Sequence, residues 1–590
     1  MGPTTNNPLK LQIKRTHIWY VFLIVVISLF LLRAFYLQVI RYNFYHKAAL
    51  SDQLKEYEIP AERGVIKAHM GDGTVPIVLN EKLFTIYADP SLIKKPDEVA
   101  SALADALGGR PSEYKEKITK EGSRYAVLSR KVSKETKEAL LKRKFPGIGA
   151  EEQHYRTYPN SQLASQVLGF VNNDGRGVYG IEQALNNTLA GTPGQLKAVT
   201  DINGVPLAAS HGNVLQQPKP GKDITLTIDV GMQKQLETIL KAGVQNAKAP
   251  SGSALIMDPY TGAVKAMANY PTYNPASYAD VDNVNLFDNP AVGHSIEVGS
   301  IMKALTTAAA LDSGAIKTNS SYYDPSKYVI DDFTVKNIEE DGGPGVKNVA
   351  DILNLSLNTG ATWELMQMGG GQLNQQGREK WHDYMVNRFL FGQPTGIEQS
   401  IESEGIVPSP EDNGAGINLT YANTAFGQAM TATPIQMGAA LSAVLNGGTY
   451  YKPTLVDSYT SSNGTTTKNQ PKVVKKDIVS AQTGREMIPL MEYVVQKHYF
   501  KQNFDQKTYA VGGKTGTAQI AKATGGGYEE NDYNGTYMGF VGGDKPQYVI
   551  VVFVNRPKIA GYAGSQAAQP IFGDLAHMLI DDFSVIPKTK

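Results

Sequence analysis

The strongest hydrophobic pattern in the chain is a nearly unbroken apolar run close to its amino terminus. Residues 18–32 are almost all apolar, and residues 34–40 continue the run after Arg33. A helix of about 20 apolar residues is long enough to cross the hydrocarbon core of a bilayer. The run therefore predicts a single transmembrane anchor at residues 17–41.

Basic residues before this run indicate its orientation. Lys10, Lys14 and Arg15 lie in a predicted tail of residues 1–16, and positive charge on short flanking segments favours the cytoplasmic side. A cleaved signal peptide is the alternative, but no small-x-small cleavage site follows Leu32. We expect a single-pass protein of the plasma membrane with a cytoplasmic amino terminus and an extracytoplasmic catalytic domain.

Beyond the anchor, the alternation of apolar and polar residues predicts two domains. Residues 50–221 have a mixed α/β pattern, with surface helices within 90–144. A stretch rich in Pro, Gly and Lys at 216–222 marks a boundary. In the second domain, residues 222–590, strands are predicted at both ends of a helical middle, so that they can complete one antiparallel sheet.

The elements of this second domain follow from alternation, turn residues and helical spacing. Gly262 closes a tight turn between two strands of a predicted hairpin. Residues 458–470, rich in Ser, Thr and Asn, are predicted to form a flexible loop. The predicted strands are 224–228, 252–258, 263–268, 507–519, 537–542 and 548–555, and the predicted helices include 230–242, 349–355 and 570–580.

One buried helix organises the second domain. It lies within residues 297–314, where Gly299 allows a tight entry turn and an Ala-, Leu- and Met-rich run ends at Gly314. Ser300 lies at the predicted start of the helix. Because residues three apart lie on one face of a helix, the amine of Lys303 can reach the hydroxyl of Ser300.

This serine–lysine pair has a chemical use. A serine hydroxyl is a weak nucleophile until a base removes its proton, and a lysine desolvated among apolar neighbours can be that base at neutral pH. The helix N-terminus also stabilises negative charge beside it. The spacing alone is weak evidence, because it recurs in loop-like or charged sequence in two decoys: Ser91 with Lys94, and Ser112 with Lys115.

A second motif, Ser356-Leu357-Asn358, follows a run that is predicted to be a helix ending near Gly360. A hydroxyl and a carboxamide two residues apart can both project from a turn into a cleft. The hydroxyl can relay a proton there, and the carboxamide can hold a substrate amide. The same pattern at residues 461–463 lies in the predicted flexible loop and is discarded.

The third motif, Lys514-Thr515-Gly516-Thr517, is the one Lys-Thr-Gly in the sequence and lies in a predicted strand. Gly516 permits a ligand backbone to approach closely, and the two threonine hydroxyls can bind a carboxylate beside the lysine charge. A phosphate-binding loop is the rival interpretation of Gly-Lys-Thr here. That motif requires Gly at the position of Thr508 and a helix after it, so we set it aside.

Composition narrows the classes of function. The formal net charge is +1 and 19% of residues are charged, and no basic run is interleaved with aromatics, which argues against nucleic-acid binding. Cysteine is absent, which excludes disulfides and thiolate metal sites. We expect no metal and no cofactor.

With the three motifs in this order, the chain resembles the class B penicillin-binding proteins, the monofunctional peptidoglycan D,D-transpeptidases of bacterial division or elongation. The resemblance covers nearly everything after residue 17, and it also rests on residues 63–66, 177–182, 258–262 and 421–434. The family implies an α+β fold with one transmembrane helix. It also implies an elongated pedestal (dimerisation) domain at 50–221 and a serine-β-lactamase-like transpeptidase domain at 222–590, with a five-stranded antiparallel sheet against helices.

The resemblance implies a role for each motif residue. Ser300 would attack the penultimate D-Ala carbonyl of a stem peptide, with Lys303 as its base. Ser356 would pass the proton to the leaving D-Ala amine and pair with Lys514. Asn358 would hold the peptide amide.

The remaining implied roles concern the substrate carboxylate and the oxyanion. Thr515, Gly516 and Thr517 would form the subsite of the terminal carboxylate. The backbone N–H groups of Ser300 and Thr517 would stabilise the oxyanion, typically by about 3 kcal/mol per donor.

The resemblance further implies substrates and partners. These are peptidoglycan stem peptides, lipid-linked glycan strands, covalently bound β-lactams, a membrane glycosyltransferase, and divisome or elongasome proteins. Septal cell-wall synthesis is the more specific expectation.

Two positions depart from the family pattern, and alternatives remain open. Val298 stands where the family usually has Pro, and Leu357 stands where it usually has Ser, which leaves fine substrate preference open. A D,D-carboxypeptidase or β-lactamase-type hydrolase would need a water-activating base that the sequence does not identify. A non-catalytic β-lactam sensor or scaffold is the third alternative.

Overall fold

The computed structural model describes residues 15–45, 54–199, 214–338, 343–411, 414, 416–498, 500–522 and 527–589. It contains two compact units. One comprises Met1–Ala61 and Thr192–Lys219, and the other comprises Glu62–Gly191 and Pro220–Lys590. Most of the predicted tail, residues 1–14, lies outside the described residues.

Strands make up the framework of both units. In chain order they are β1 (Leu54–Ile59), β2 (Ile66–Met70), β3 (Gly73–Ala88), β4 (Ala126–Val132), β5 (Ile148–Thr157), β6 (Phe170–Val171), β7 (Gly177–Val178), β8 (Gly194–Val199), β9 (Val214–Gln216), β10 (Asp223–Asp229), β11 (Ser251–Met257), β12 (Val264–Tyr270), β13 (Ser321–Asp324), β14 (Lys327–Ile330), β15 (Phe333–Lys336), β16 (Gly345–Asn348), β17 (Tyr450–Tyr451), β18 (Val456–Thr460), β19 (Thr466–Lys468), β20 (Val473–Lys475), β21 (Ala510–Ala521), β22 (Tyr528–Gly542) and β23 (Pro546–Asn555).

Helices alternate with the strands along the chain. In chain order they are α1 (Arg15–Phe35), α2 (Pro96–Leu107), α3 (Pro111–Ile118), α4 (Lys134–Leu141), α5 (Ser165–Leu168), α6 (Gly180–Ala184), α7 (Asn186–Leu189), α8 (Val230–Asn246), α9 (Pro290–Gly293), α10 (Met302–Asp312), α11 (Val349–Asn354), α12 (Asn358–Met368), α13 (Gln375–His382), α14 (Ile417–Thr424), α15 (Pro434–Leu445), α16 (Ala481–Lys497) and α17 (Gln569–Asp582).

The first unit contains the predicted membrane segment. Helical structure covers the apolar residues His17–Ile40, which are long enough to span a membrane and are not buried inside the structure. The end of this segment, Tyr36–Ile40, is wound as a π-helix. A small sheet in the order β1-β8-β9 accompanies it, with both pairings antiparallel.

The larger unit contains a seven-stranded sheet in which β10 lies between β2 and β18. Beside it, buried Glu182 accepts hydrogen bonds from Arg63 Nε and Arg156 Nε, each at 2.7 Å. Glu182 is fully buried, and both arginines are nearly so. Two segments of the family resemblance, 63–66 and 177–182, are therefore joined by one charge network.

A five-stranded antiparallel sheet, in the order β12-β11-β23-β22-β21, forms the centre of this unit. Alternate residues of each strand face opposite sides. Leu255 packs into one hydrophobic cluster, with helices α10 and α15, and its neighbour Ile256 packs into the other, with α8 and α17. The predicted hairpin is confirmed, and strands from both ends of the domain do form one antiparallel sheet. The predicted strand 224–228 is not part of it, because β10 pairs with β2 and β18 in the seven-stranded sheet.

Helix α10 lies in the middle of the core. Every residue from Met302 to Leu311 is buried, as the predicted apolar run requires. Strand β21 is the edge strand of the central sheet, and it lies beside the turn that enters α10. The sheet edge and the helix start are thus neighbours.

Three sequence-based predictions of local structure are wrong. Residues 458–470 are not a loop, because β18 and β19 form a hairpin that pairs with β10. The predicted helix does not continue towards Gly360, because α11 ends at Asn354 and α12 begins at Asn358. Residues 90–144 contain the three helices α2–α4 but also strand β4, which pairs with β3.

Candidate active site

Ser300 lies on a single 3₁₀ turn, Gly299–Ile301, that leads directly into α10. Gly299 has φ +64, a left-handed conformation that is strained for residues with a side chain. Its N–H donates to the Gly427 carbonyl at 3.0 Å. A glycine is therefore required where the chain turns into the helix, as the sequence predicted.

Strand β21 lies close against this turn. A Cβ on Gly516 would lie 2.2 Å from Thr536 Oγ1 and 2.9 Å from the Val298 carbonyl oxygen. Thr536 Oγ1 in turn donates to that carbonyl at 2.8 Å. The Lys-Thr-Gly strand therefore needs its glycine to approach the serine turn, and a side chain at this position would separate them.

Lys303 reaches the other catalytic motifs from one turn inside α10. Its Nζ lies 3.0 Å from Ser300 Oγ, 3.2 Å from Ser356 Oγ and 2.8 Å from Asn358 Oδ1. The amine also donates to the Ser356 carbonyl. Lys303 is fully buried, so the serine–lysine pair predicted from spacing is in contact and desolvated.

The Ser-x-Asn motif forms a tight turn between α11 and α12. Ser356 has φ +57, which is unusual for a residue other than glycine. Leu357 is fully buried in the core, whereas Ser356 and Asn358 project towards Lys303. The departure at Leu357 thus concerns a core position and not the cleft.

Lys514 contacts the same turn from the opposite wall. Its Nζ donates to Ser356 Oγ at 2.9 Å and to the Thr515 carbonyl at 3.0 Å. Lys514 is fully buried. Ser356 Oγ therefore lies between two lysine amines, one on α10 and one on β21.

The threonines of the third motif are half-buried on β21. Thr515 Oγ1 lies 3.4 Å from Lys514 Nζ. Thr517 Oγ1 accepts the Gly564 N–H at 3.0 Å, and a Cβ on Gly299 would lie 2.9 Å from the Thr517 carbonyl oxygen. The Thr517 backbone thus faces the serine turn from the open edge of the sheet.

The two Ser-x-x-Lys decoys lie elsewhere. Ser91 is in a 3₁₀ turn and donates from Oγ to Asp89 at 2.6 Å. Lys115 forms an ion pair with Asp97 at 2.6 Å on the surface. Neither pair has the partners that surround Ser300, so discarding them is confirmed.

The sequence did not predict that three further titratable residues lie near the site. Buried Glu364 accepts the Thr307 hydroxyl at 2.9 Å, and burial raises the pKa of Glu364 to about 8. Burial, and then the charge of Lys514, lowers the pKa of His498. Burial raises the pKa of Glu297, whose Oε1 accepts the Ala429 N–H at 2.9 Å.

These three residues carry no short motif that could have identified them. Glu364 follows the Ser-x-Asn motif on α12, whereas His498 and Glu297 belong to no motif. Their partners are distant in sequence, so only the assembled fold brings them to the site. A solitary charged residue in an otherwise uncharged helix, as at Glu364, is the one weak signal that the sequence offers.

Comparison with known proteins assigns the family. Residues 252–577 match the pattern described as "Penicillin binding protein transpeptidase domain", and residues 58–226 match "Penicillin-binding Protein dimerisation domain". The chain is 31% identical over 538 residues to stage V sporulation protein D of Bacillus subtilis, covering 89% of this chain and 79% of that protein. The chain belongs to the class B penicillin-binding proteins.

Other members and solved structures agree. This penicillin-binding protein is 24% identical over 581 residues to peptidoglycan D,D-transpeptidase FtsI of Escherichia coli K12, covering 96% of the chain and 91% of that protein. Its fold is similar to that of penicillin binding protein 2X from Streptococcus thermophilus, with a TM-score of 0.70 and 23% identity. The match covers 90% of this chain and 81% of that chain. The predicted fold class is confirmed.

Proposed function

We propose that this chain is a peptidoglycan D,D-transpeptidase that cross-links stem peptides through an acyl-enzyme on Ser300. One observation carries the proposal, a continuous chain of polar contacts across the site. Ser300 Oγ lies 3.0 Å from Lys303 Nζ, which lies 3.2 Å from Ser356 Oγ, which lies 2.9 Å from Lys514 Nζ. Such a chain can carry a proton from the nucleophile to the leaving group.

Lys303 is the base in this mechanism. A neutral amine has two N–H groups, and the Ser356 carbonyl and Asn358 Oδ1 can accept both. Its lone pair is then left for the Ser300 hydroxyl. The amine removes the hydroxyl proton as Oγ forms a bond to the penultimate D-Ala carbonyl carbon.

The oxyanion is stabilised at the edge of the central sheet. A residue on a strand points its N–H and C=O to the same side, so the Thr517 N–H faces the serine turn as its carbonyl does. Together with the N–H of Ser300, it stabilises the tetrahedral intermediate, at about 3 kcal/mol per donor. The charge of Lys514, with the Thr515 and Thr517 hydroxyls, binds the terminal carboxylate.

Collapse of the intermediate releases D-Ala. The C–N bond breaks, and Ser356 gives its proton to the leaving nitrogen while the proton on Lys303 replaces it. An amine of a neighbouring stem then attacks the ester carbon, the bond from that carbon to Ser300 Oγ breaks as the amide bond forms, and the proton lost by the amine returns to Oγ. Asn358 holds the peptide amide throughout.

The family assignment extends to the cellular setting. In this proposal, residues 17–41 anchor the chain with residues 1–16 in the cytoplasm, 50–221 form the pedestal, and 222–590 catalyse cross-linking outside the membrane. The relative named FtsI supports septal use. A membrane glycosyltransferase and divisome proteins are the proposed partners, because a transpeptidase needs newly polymerised strands.

Reconstitution tests the proposal. Full-length chain in liposomes would be given lipid-linked disaccharide pentapeptide and a purified glycosyltransferase, and the digested product would be analysed by mass spectrometry. We expect cross-linked dimers with wild type and none with Ser300→Ala. Trimmed tetrapeptide without dimers would indicate a carboxypeptidase, and unchanged pentapeptide would favour a sensor or scaffold.

A further inference from the structure

The β14–β15 hairpin is held rigidly against the Ser-x-Asn turn. At its base, Asp324 accepts the Asn337 side-chain amide and the Thr359 hydroxyl, each at 2.8 Å. The Thr359 N–H also donates to Asn337 Oδ1 at 3.1 Å. Asp324 and Thr359 are fully buried, so this clamp ties both ends of the hairpin to the residue after Asn358.

The hairpin also contacts Asn358 itself. Asn358 Nδ2 donates to the Lys336 carbonyl at 3.0 Å, which leaves the second N–H of that amide for a ligand. At the other end, the Asp331 carboxylate accepts the Leu419 N–H at 3.0 Å. The hairpin is therefore a fixed wall of the site, attached at its base, at its last strand residue and at its tip.

One face of this wall is exposed and positively charged. Strand register places Lys327 opposite Lys336 and Val329 opposite Thr334, and all four residues are exposed. Val329 is 71% exposed, whereas Ile330 on the inner face is 8% exposed. Among the described residues, neither lysine has a carboxylate within ion-pair distance.

Two like charges directly opposite each other destabilise a strand pair. Such a pair at the wall of a binding site suits an anion that neutralises both charges. The exposed valine between the lysines and the turn adds apolar surface of the kind that peptide side chains cover. The chemistry therefore fits an extended peptide with a carboxylate, and not a neutral one.

We propose that Lys327 and Lys336 bind a carboxylate of the donor stem peptide, two or three residues before the scissile bond. This inference rests on the proposed function, because Asn358 must hold the donor amide next to the acylated residue. An extended peptide advances about 3.3 Å per residue, so two residues span about 7 Å from that amide. Lys336 begins beside that amide, because its carbonyl accepts Asn358 Nδ2 at 3.0 Å, and Lys327 lies opposite it in the hairpin.

Binding to the acylation-deficient Ser300→Ala chain tests the inference independently of catalysis. Two fluorescent stem peptides would be compared by anisotropy, one with a free carboxylate at this position and one with the same carboxylate amidated. We expect the acid to bind about 3- to 10-fold more tightly at low salt, since exposed ion pairs are each worth a fraction of a kcal/mol to about one. The preference should vanish in Lys327→Ala/Lys336→Ala and shrink with added salt.

Lys468→Ala is the matched control, because Lys468 is also an exposed hairpin lysine but lies on β19 in the other large sheet. It should keep the full preference. Equal binding of the two peptides to the parent chain would overturn the inference. A preference that survives in the double variant would also overturn it.

Acylation by a penicillin separates this inference from the proposed function. Penicillins lack the upstream stem residues, so the double variant with Ser300 intact should react at the wild-type rate. A slower reaction would overturn the inference, because the lysines would then act through Asn358 and not on the stem. Failure of wild type to react would count against the proposed function, and the anisotropy result would still decide the carboxylate site.

Discussion

Replacing Gly427 by alanine should displace the nucleophile without touching any catalytic side chain. Gly427 has φ +82, and a Cβ there would lie 2.1 Å from the Gly299 carbonyl oxygen. Real Cβ atoms essentially never lie within 3.0 Å of such an atom, so the two backbones must separate by about 1 Å. Because Gly299 precedes Ser300, the displacement is passed to the nucleophile.

The magnitude has two parts. Left-handed backbone costs a residue with a side chain roughly 1–2 kcal/mol of stability. A misplacement of about 1 Å at a reacting group can cost about 100-fold in rate. We therefore expect the second-order rate of acylation by a fluorescent penicillin to fall about 100-fold in Gly427→Ala.

Gly464→Ala is the matched control. Gly464 has φ +84, but no atom lies within 4 Å of its would-be Cβ. It should suffer the same backbone strain and acylate at nearly the wild-type rate. If folded Gly427→Ala, checked by circular dichroism, also acylated within about threefold of wild type, the argument that this close approach positions Ser300 would be refuted.

Three further substitutions test the roles of Glu364, Glu182 and Lys514. Burial raises the pKa of Glu364 from 4.5 in the unfolded chain to about 8, so its contribution to stability is complete below pH 4.5 and is lost as the pH rises through 8. In Glu364→Gln, the free energy of unfolding measured with denaturant should lose up to about 5 kcal/mol of this variation with pH. The same pH profile in the variant as in wild type would contradict the prediction. Glu182→Gln should destabilise the larger unit by about 3–5 kcal/mol, because it leaves Arg63 and Arg156 buried without a carboxylate. Limited proteolysis should cut this variant faster than wild type, and equal resistance to the protease would argue against the network. Lys514→Met keeps the side-chain volume but removes the charge next to Ser356 Oγ, so the rate of acylation should fall by about 100-fold or more. Near-normal labelling by a fluorescent penicillin would show that Lys514 has no part in the mechanism.

Much of the chemistry could be predicted from sequence because it depends on short spacings. Ser300 and Lys303 are one helical turn apart, and the alternation around Lys514 indicates a strand. The central sheet was predictable as well, since strands such as β11 and β23 are short apolar runs bounded by turn residues. These signals are local, so they survive without knowledge of tertiary contacts.

The remaining features depend on contacts between distant residues. The hydroxyl of Thr307 meets Glu364 across 57 positions, and no local pattern records that pairing. Ser356 adopts φ +57, which helix propensity does not predict. The helix predicted to continue towards Gly360 therefore ends earlier, at Asn354. Residues 458–460 pair with β10 and residues 466–468 pair back onto them, and this pairing overrides a loop-like composition.

The proposed mechanism requires Ser300 to form a covalent acyl-enzyme. The most direct measurement is peptide mapping by mass spectrometry after the full-length chain has been incubated with a penicillin. We expect the peptide containing Ser300 to gain the mass of the drug and Ser300→Ala to gain none. An adduct on a different serine, or an unmodified wild-type chain, would contradict it.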